Sequence, residues 1–182
     1  MDLKLTIKTA SESDTRSPEA QQQFQEEQTM SGSAALAQKL PLIFPQAVAW
    51  ANKQSSRIAR EGTLLSAVLL ARAAAVGVAS PEKVRVLEVP SLEAPSDPSL
   101  NEVAQESGLF GPDMHGMTLG HGIFVCSGKA SVRLLTHELR HVHQYEQAGS
   151  IERFLEEYLR QVATYGYFDA PYEKDARAFE NS

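Results

Sequence analysis

The sequence predicts a single α+β domain, and three observations carry that expectation. Apolar residues recur at helical three-and-four spacing between Leu36 and about Ala79, and again in two amphipathic runs, one from Ser131 to Gln147 and one from Ile151 to Tyr165. Between these helical blocks stand two stretches, 84–89 and 117–125, that read as strands of a small mixed sheet with an edge strand. At 182 residues, with 42% hydrophobic and 22% charged positions, the chain is long enough to bury one core.

Residues 1–35 are rich in Ser, Thr, Gln and Glu, with few apolar positions after Ile7, too few to offset the entropy of ordering them. They are expected to be a disordered tail, or else a pro-segment lying across a cleft, and the domain proper is expected over 36–182. Leu40, Ile43, Phe44, Ala47 and Trp50 begin a first helical run, and Leu64, Val68, Leu69, Ala71 and Ala75 make a second, with Gly62 as the break. "VRVLEV" at 84–89 alternates and predicts a strand, while "PSLEAPSDPS" behind it holds three prolines and predicts a long loop. "MTLGHGIFV" at 117–125 predicts a second strand, interrupted by Gly120 and Gly122.

The helix that follows divides into faces at the 100° step of an α-helix. Val132, Leu135, Leu139 and Val142 make an apolar stripe for the core, and Leu134, His137, Glu138, His141 and Tyr145 make a second stripe that can line a cleft. Gly149 ends the helix and Ser150 is placed to cap the next, whose stripe is Ile151, Phe154, Leu155, Tyr158, Leu159, Val162 and Tyr165. Gly166 closes it, and Pro171 suits the first turn of a last short helix.

Charge and cysteine content exclude some functions. The net charge of −6, with no Lys/Arg-rich run, argues against nucleic acid as a partner. The single cysteine, Cys126, rules out an internal disulfide. No signal-peptide h-region and no membrane span stand in the sequence, the nearest apolar run, 64–79, being broken by Arg72 and Gly77. A cytoplasmic location is the expectation, with export by a non-classical route left open.

The chemistry concentrates in "THELRHVHQYE", residues 136–146. His137 and His141, four apart, leave one helix face a turn from each other and can reach one zinc ion through neutral ring nitrogens. Glu138 beside the first ligand can act as general base toward water at that ion. With 5 His and 17 Glu in the chain, chance would give about 0.01 matches to this HExxH pattern, against the alternative of a solvated face carrying incidental histidines. His143 points about 200° away from His141 and is expected to be structural. His115 and His121, in a loop and at a strand edge, are weaker candidates for substrate or metal. A catalytic zinc takes a third protein ligand. The pattern HExxHxxGxxH would supply it locally, but those positions hold Gln144 and Gln147, so it is expected from a later helix, where Glu173 and Asp175 are the candidates.

"HELRH" followed by "EKDA" resembles the gluzincin zinc peptidases, in which HExxH is followed by a helix carrying a ligand glutamate in an E-x-x-A setting. The likeness covers about residues 117–180 and is to compact members, the minigluzincins and the catalytic cores of HtpX-type membrane proteases. It implies a zincin-like fold, one zinc ion per chain, His137, His141 and Glu173 as ligands, Glu138 as catalytic base, and hydrolysis of a peptide or protein substrate. It also implies that "GHGIFV" at 120–125 is the edge strand that pairs with substrate. Where family members often place an aspartate that orients a ligand histidine, this chain has Arg177, so Asp175 or another group must serve. Larger members carry a C-terminal subdomain that helps stabilise the oxyanion. With Ser182 as the last residue it is expected to be absent, leaving His121, Tyr145, Tyr165, Tyr167 and Tyr172 as candidates for substrate or transition-state contacts. Cys126 raises a further idea, a thiolate closing the metal site in a latent form. The alternatives to a peptidase are a zinc-binding scaffold or interaction module without turnover, and a latent or effector form inhibited by its N-terminal segment.

Overall fold

The computed structural model describes residues 18–111 and 113–180, with side chains from Ala37 onward. The architecture is α+β, with six helices and a four-stranded mixed sheet among the described residues. Helix α1 runs over Pro18–Glu61, strand β1 over Thr63–Leu64 and helix α2 over Ala67–Ala75. After a 3₁₀ turn at Pro81–Lys83 come β2 (Arg85–Val89), α3 (Pro98–Glu106), β3 (Gly116–Leu119), β4 (Gly122–Cys126), α4 (Val132–Ala148), α5 (Ile151–Tyr165) and α6 (Pro171–Phe179). No helix among the described residues is long and apolar enough to cross a membrane.

The expected break at Gly62 is where α1 stops. The helix starts at Pro18, so the backbone of 18–35 is helical, and the part of the expected tail over 1–17 lies outside the described residues. Pro41 and Pro45 lie inside α1 and each removes one backbone donor from its ladder. Helix α3 takes its first two residues, Pro98 and Ser99, from the stretch 90–99 expected to be loop. Its start is nonetheless written in the sequence: Asp97 caps it by accepting from the Leu100 N–H at 2.8 Å, Pro98 sits in the first turn, and Leu100, Val103 and Ala104 turn inward at helical spacing.

The sheet order is β1-β2-β4-β3, with β2 and β4 parallel and both outer pairs antiparallel. Residues 117–125 are therefore not one strand. Leu119 pairs with Gly122 across the two-residue turn Gly120-His121, and Gly120 adopts φ +67°, a conformation that favours glycine. This corrects the expected edge: the strand within 120–125 is β4, which is flanked on both sides, and the edges of the sheet are β1 and β3.

Helix α4 packs beneath the sheet as its periodicity predicts. Leu139 and Val142 are fully buried against Val84, Ile123 and Val125, although Val132 at the helix start is exposed. Ser131 and Gly149 bound the helix, and Ser150 caps α5 by accepting from the Arg153 N–H. A second core joins α1, α3 and α5 through Ile43, Leu100, Val103 and Val162. Helix α5 follows α4 after the two-residue link Gly149-Ser150 and packs against it, and α6 comes alongside the histidine-bearing face.

Candidate metal centre

His137, His141 and Glu173 converge from α4 and α6 and form a group that can bind a metal ion. The two Nε2 atoms are 3.1 Å apart, and Glu173 places Oε2 3.4 Å from His137 Nε2 and Oε1 3.3 Å from His141 Nε2. Ligand atoms about 2.1 Å from one ion at the tetrahedral angle would lie about 3.4 Å apart, so the spacing fits a common ion. Two features of the donors agree with this. Glu173 is 2% exposed, and its Oε2 is buried without a hydrogen-bond partner, the Arg177 guanidinium coming no nearer than 3.8 Å, a costly state that an ion at the shared point would relieve. Each imidazole is held at Nδ1 by an oxygen, His137 by Glu180 Oε1 at 3.0 Å and His141 by Gln144 Oε1 at 2.7 Å. With these oxygens meeting Nδ1, the Nε2 atoms are the ring nitrogens left to face the shared point.

The groups behind the ligands are themselves held. Gln144 donates from Nε2 to the Tyr172 carbonyl and to Asp175 Oδ2, which fixes its amide with the oxygen toward His141. Asp175 accepts from Arg140 at 2.7 and 3.1 Å, and Arg140 also donates to the Val76 carbonyl. Tyr158 donates to Glu173 Oε1 at 2.8 Å. Of the two carboxylates considered as third ligand, Glu173 therefore joins the group and Asp175 acts one residue further out, through Gln144. The orienting carboxylate on His137 is Glu180, the residue that ends the same helix, and not Arg177.

Glu138 is 4% exposed and stands beside the group without belonging to it. The Thr118 hydroxyl lies 2.7 Å from its Oε2 and 3.0 Å from its backbone oxygen, tying α4 to the β3 edge. Its Oε1 rests over Gly116, where a Cβ would come within 2.5 Å, so any other residue there would displace the carboxylate. Burial pushes the Glu138 carboxyl above its ordinary range, with the two imidazoles and Thr118 pulling back in part. Burial also opposes charge on Glu173 and His141, but their partners win: His137 and His141 hold Glu173 well below the usual carboxylate range, and Glu173, with Glu138, raises His141 to about 9.

The remaining candidates separate. Tyr145 lines the cavity next to the group, stacked on Phe154 with centroids 3.6 Å apart. Tyr167 lines both this cavity and an outer groove, beside His137 and Glu138. Tyr165 is exposed, and Tyr172 stacks on Phe154 while its backbone serves Gln144 and Gln161. His121 sits in the β3–β4 turn, where its Nε2 meets Glu146 Oε1 at 3.0 Å, and lines a separate pocket with Lys83 and Arg85. His115 lines the outer groove. His143 Nδ1 meets the Gly77 carbonyl at 2.6 Å, a structural contact of the kind its position predicts. The Cys126 thiol ends β4, 4.0 Å from the Met114 carbonyl, and is not part of the metal-binding group. Sequence reasoning missed Tyr158, Gln144 and Glu180. A signal existed for Gln144, one turn beyond His141 on the same helix; Tyr158 was hidden in an apolar stripe.

No protein-family model, no curated protein and no solved structure matches this chain.

Proposed function

We propose that the chain is a zinc-dependent peptidase with a zincin-like catalytic domain of the gluzincin kind, acting on a peptide or protein. One observation carries the reading: three ligand atoms converge with both Nδ1 atoms oriented away, while the neighbouring buried carboxylate, Glu138, is held by other groups and left out of the ligand set. Among the described residues the group has three members, which leaves one position of a tetrahedral ion open, as catalytic rather than structural zinc sites do. An ion held there would supply Lewis-acid polarisation of the scissile carbonyl and lower the pKa of water.

The protein's own part follows from position. Glu138, with Oε2 fixed by Thr118 and a carboxyl raised by burial, takes the proton of the attacking water and passes it to the leaving nitrogen. Tyr167 keeps its hydroxyl protonated, because burial and the nearby carboxylates oppose ionisation, and it donates to the developing oxyanion. The β3 edge beside Glu138 offers backbone groups to an extended substrate.

A zinc-holding scaffold without turnover uses the same ligands but gives Glu138 no task. The test is Glu138→Gln in the full chain, assayed with an unfolded protein as substrate. The variant should keep about one zinc per chain and lose cleavage by a factor of at least about 10². A wild-type protein that holds zinc and cleaves nothing, or a variant as fast as wild type, would overturn the peptidase reading.

A further inference from the structure

A second cleft opens at the C-terminal end of α4 and shares no residue with the metal-binding group. Helix α1, the segment leading into β2, the Gly120-His121 turn and the start of α5 form its walls. Its volume is about 490 Å³, inside the range of about 300–1,000 Å³ typical of small-molecule sites.

Alternation along β2 decides where Arg85 points. Val86 packs on the α4 side of the sheet with Leu139 and Val142, while Leu87 packs on the α1 side with Ala51 and Ile58. Arg85, two residues before Leu87, shares the α1 side and lines the cleft. Its Nη1 donates to the Glu82 carbonyl at 3.1 Å and the Val84 carbonyl at 3.3 Å, contacts that hold the guanidinium without neutralising it. Lys83, exposed on the 3₁₀ turn, lines the same cleft.

Neither cation has a carboxylate within ion-pair distance among the described residues. The chain carries a net charge of −6, and Arg57, Arg133, Arg140, Arg160 and Lys174 all have such partners. The carboxylate in the cleft wall, Glu146, is already answered by the Ala79 and Ser80 N–H groups and by His121. Two positive charges thus face one cleft with no negative charge left to balance them.

The charge count selects the class of ligand. A carboxylate brings one negative charge and would leave one cation unanswered, whereas a phosphate monoester brings about 1.5 to 2 near pH 7, with three acceptor oxygens. Arg85 offers the rest of a planar fork of N–H donors to such oxygens, and Lys83 adds a point charge on a flexible stem. The remaining wall is in large part apolar, with Ala59, Ala79 and Ile151 in it, and the volume exceeds what an inorganic ion fills. The head therefore comes with an organic body.

We infer that this cleft is a second binding site, which takes a small organic phosphate with its dianionic head at Lys83 and Arg85 and its apolar body against Ala59 and Ile151. The site stands apart from the peptidase reading, since none of its residues belongs to the metal-binding group.

Phenyl phosphate is the probe. It is titrated into the zinc-loaded full-length chain by calorimetry, and its place is read from backbone amide shifts in NMR. Saturable binding is expected, with the largest shifts at Ser80, His121 and Ile151 and with affinity falling as NaCl rises. Lys83→Gln and Arg85→Gln should each weaken binding by about tenfold or more, and the double variant should abolish it. If thermal unfolding shows that Arg85→Gln disturbs the fold, Lys83→Gln decides alone, because its ammonium has no partner among the described residues. Phenylacetate, with a single charge, and inorganic phosphate, with no apolar body, should each bind about tenfold more weakly than phenyl phosphate. Equal affinity for either overturns the assigned ligand class. Absence of saturation overturns the site, and so does binding that survives in the variants and is lost when zinc is chelated, which would put the probe on the metal.

Discussion

Glu180 holds His137 from the side opposite the metal position: its Oε1 is 3.0 Å from Nδ1, while Glu173, on the same helix, faces Nε2 at 3.4 Å. Helix α6 and its C-terminal cap thus supply both a candidate ligand and the carboxylate that orients another. Glu180 is itself paired with Arg133 of α4, so the end of α6 is tied to the helix whose histidine it orients. Glu180→Ala should weaken zinc binding by about 10–100-fold, whereas Glu173→Ala should weaken it much further. Competition against a chromophoric chelator measures both. Equal effects, or none at Glu180, would remove the positioning role.

The contact between Gly116 and Glu138 gives a prediction about rate rather than binding. A Cβ at position 116 would stand 2.5 Å from Glu138 Oε1, too close to be tolerated, so the carboxylate must move from the place where Thr118 holds it. A displacement of about 1 Å costs on the order of 10²-fold in rate. Gly116→Ala should therefore lower kcat/KM by about that factor while leaving zinc content unchanged. A variant that loses zinc in proportion to activity would show instead that the group, not the base, had been disturbed.

Proton and metal compete at His141. Burial works against its charge, but Glu173 and Glu138 outweigh this and raise the imidazole to about 9 in the metal-free chain. Zinc must displace that proton, so apparent affinity should rise by about tenfold per pH unit between 6.5 and about 9, with proton release on binding. Titration calorimetry in buffers of different ionisation enthalpy counts the protons. Stability of the chelated protein follows the other sign. A folded-state value above the unfolded 6.5 stabilises fully below pH 6.5, and that contribution is lost as pH rises through about 9. A flat affinity from pH 6.5 to 8.5 would sink this account.

The parts of the site visible in the sequence were those set by one helix. His137, Glu138 and His141 share a face by spacing alone, and the caps at Ser131 and Gly149 bound that helix within a residue or so. Glu173 was legible as one of two carboxylates, because a returning helix pair brings α6 back, but periodicity cannot choose between it and Asp175. The rest depends on tertiary meetings. Glu180 lies 43 residues from the histidine it orients, and Tyr158 occupies a position that reads as core until its hydroxyl is found on Glu173. The edge strand is not legible because Gly120 reads as an interruption within one strand, whereas it forms the turn between two. Helix α3, which lines the cavity, begins at Asp97 and Pro98, at the end of a proline-bearing stretch that reads as loop.

Glu146, the second carboxylate of the segment 136–146, has a structural task away from the metal. Its oxygens accept from the Ala79 N–H at 2.6 Å, the Ser80 N–H at 2.9 Å and His121 Nε2 at 3.0 Å, pinning the turn before β2 and the β3–β4 hairpin to the end of α4. Burial raises its carboxyl, but those donors prevail and hold it below the ordinary value of 4.5. A depressed carboxylate stabilises the fold above its unfolded value and loses that contribution as pH falls through the folded one, so this tether weakens only in acid, below about pH 4.5. Glu146→Ala leaves two backbone donors without their partner and should cost about 1–3 kcal/mol in chemical denaturation at pH 7. Zinc content and kcat should stay near wild type, since the residue lies outside the ligand group and the cavity lining. Loss of zinc in this variant, with the fold intact, would mean that the carboxylate reaches the metal after all.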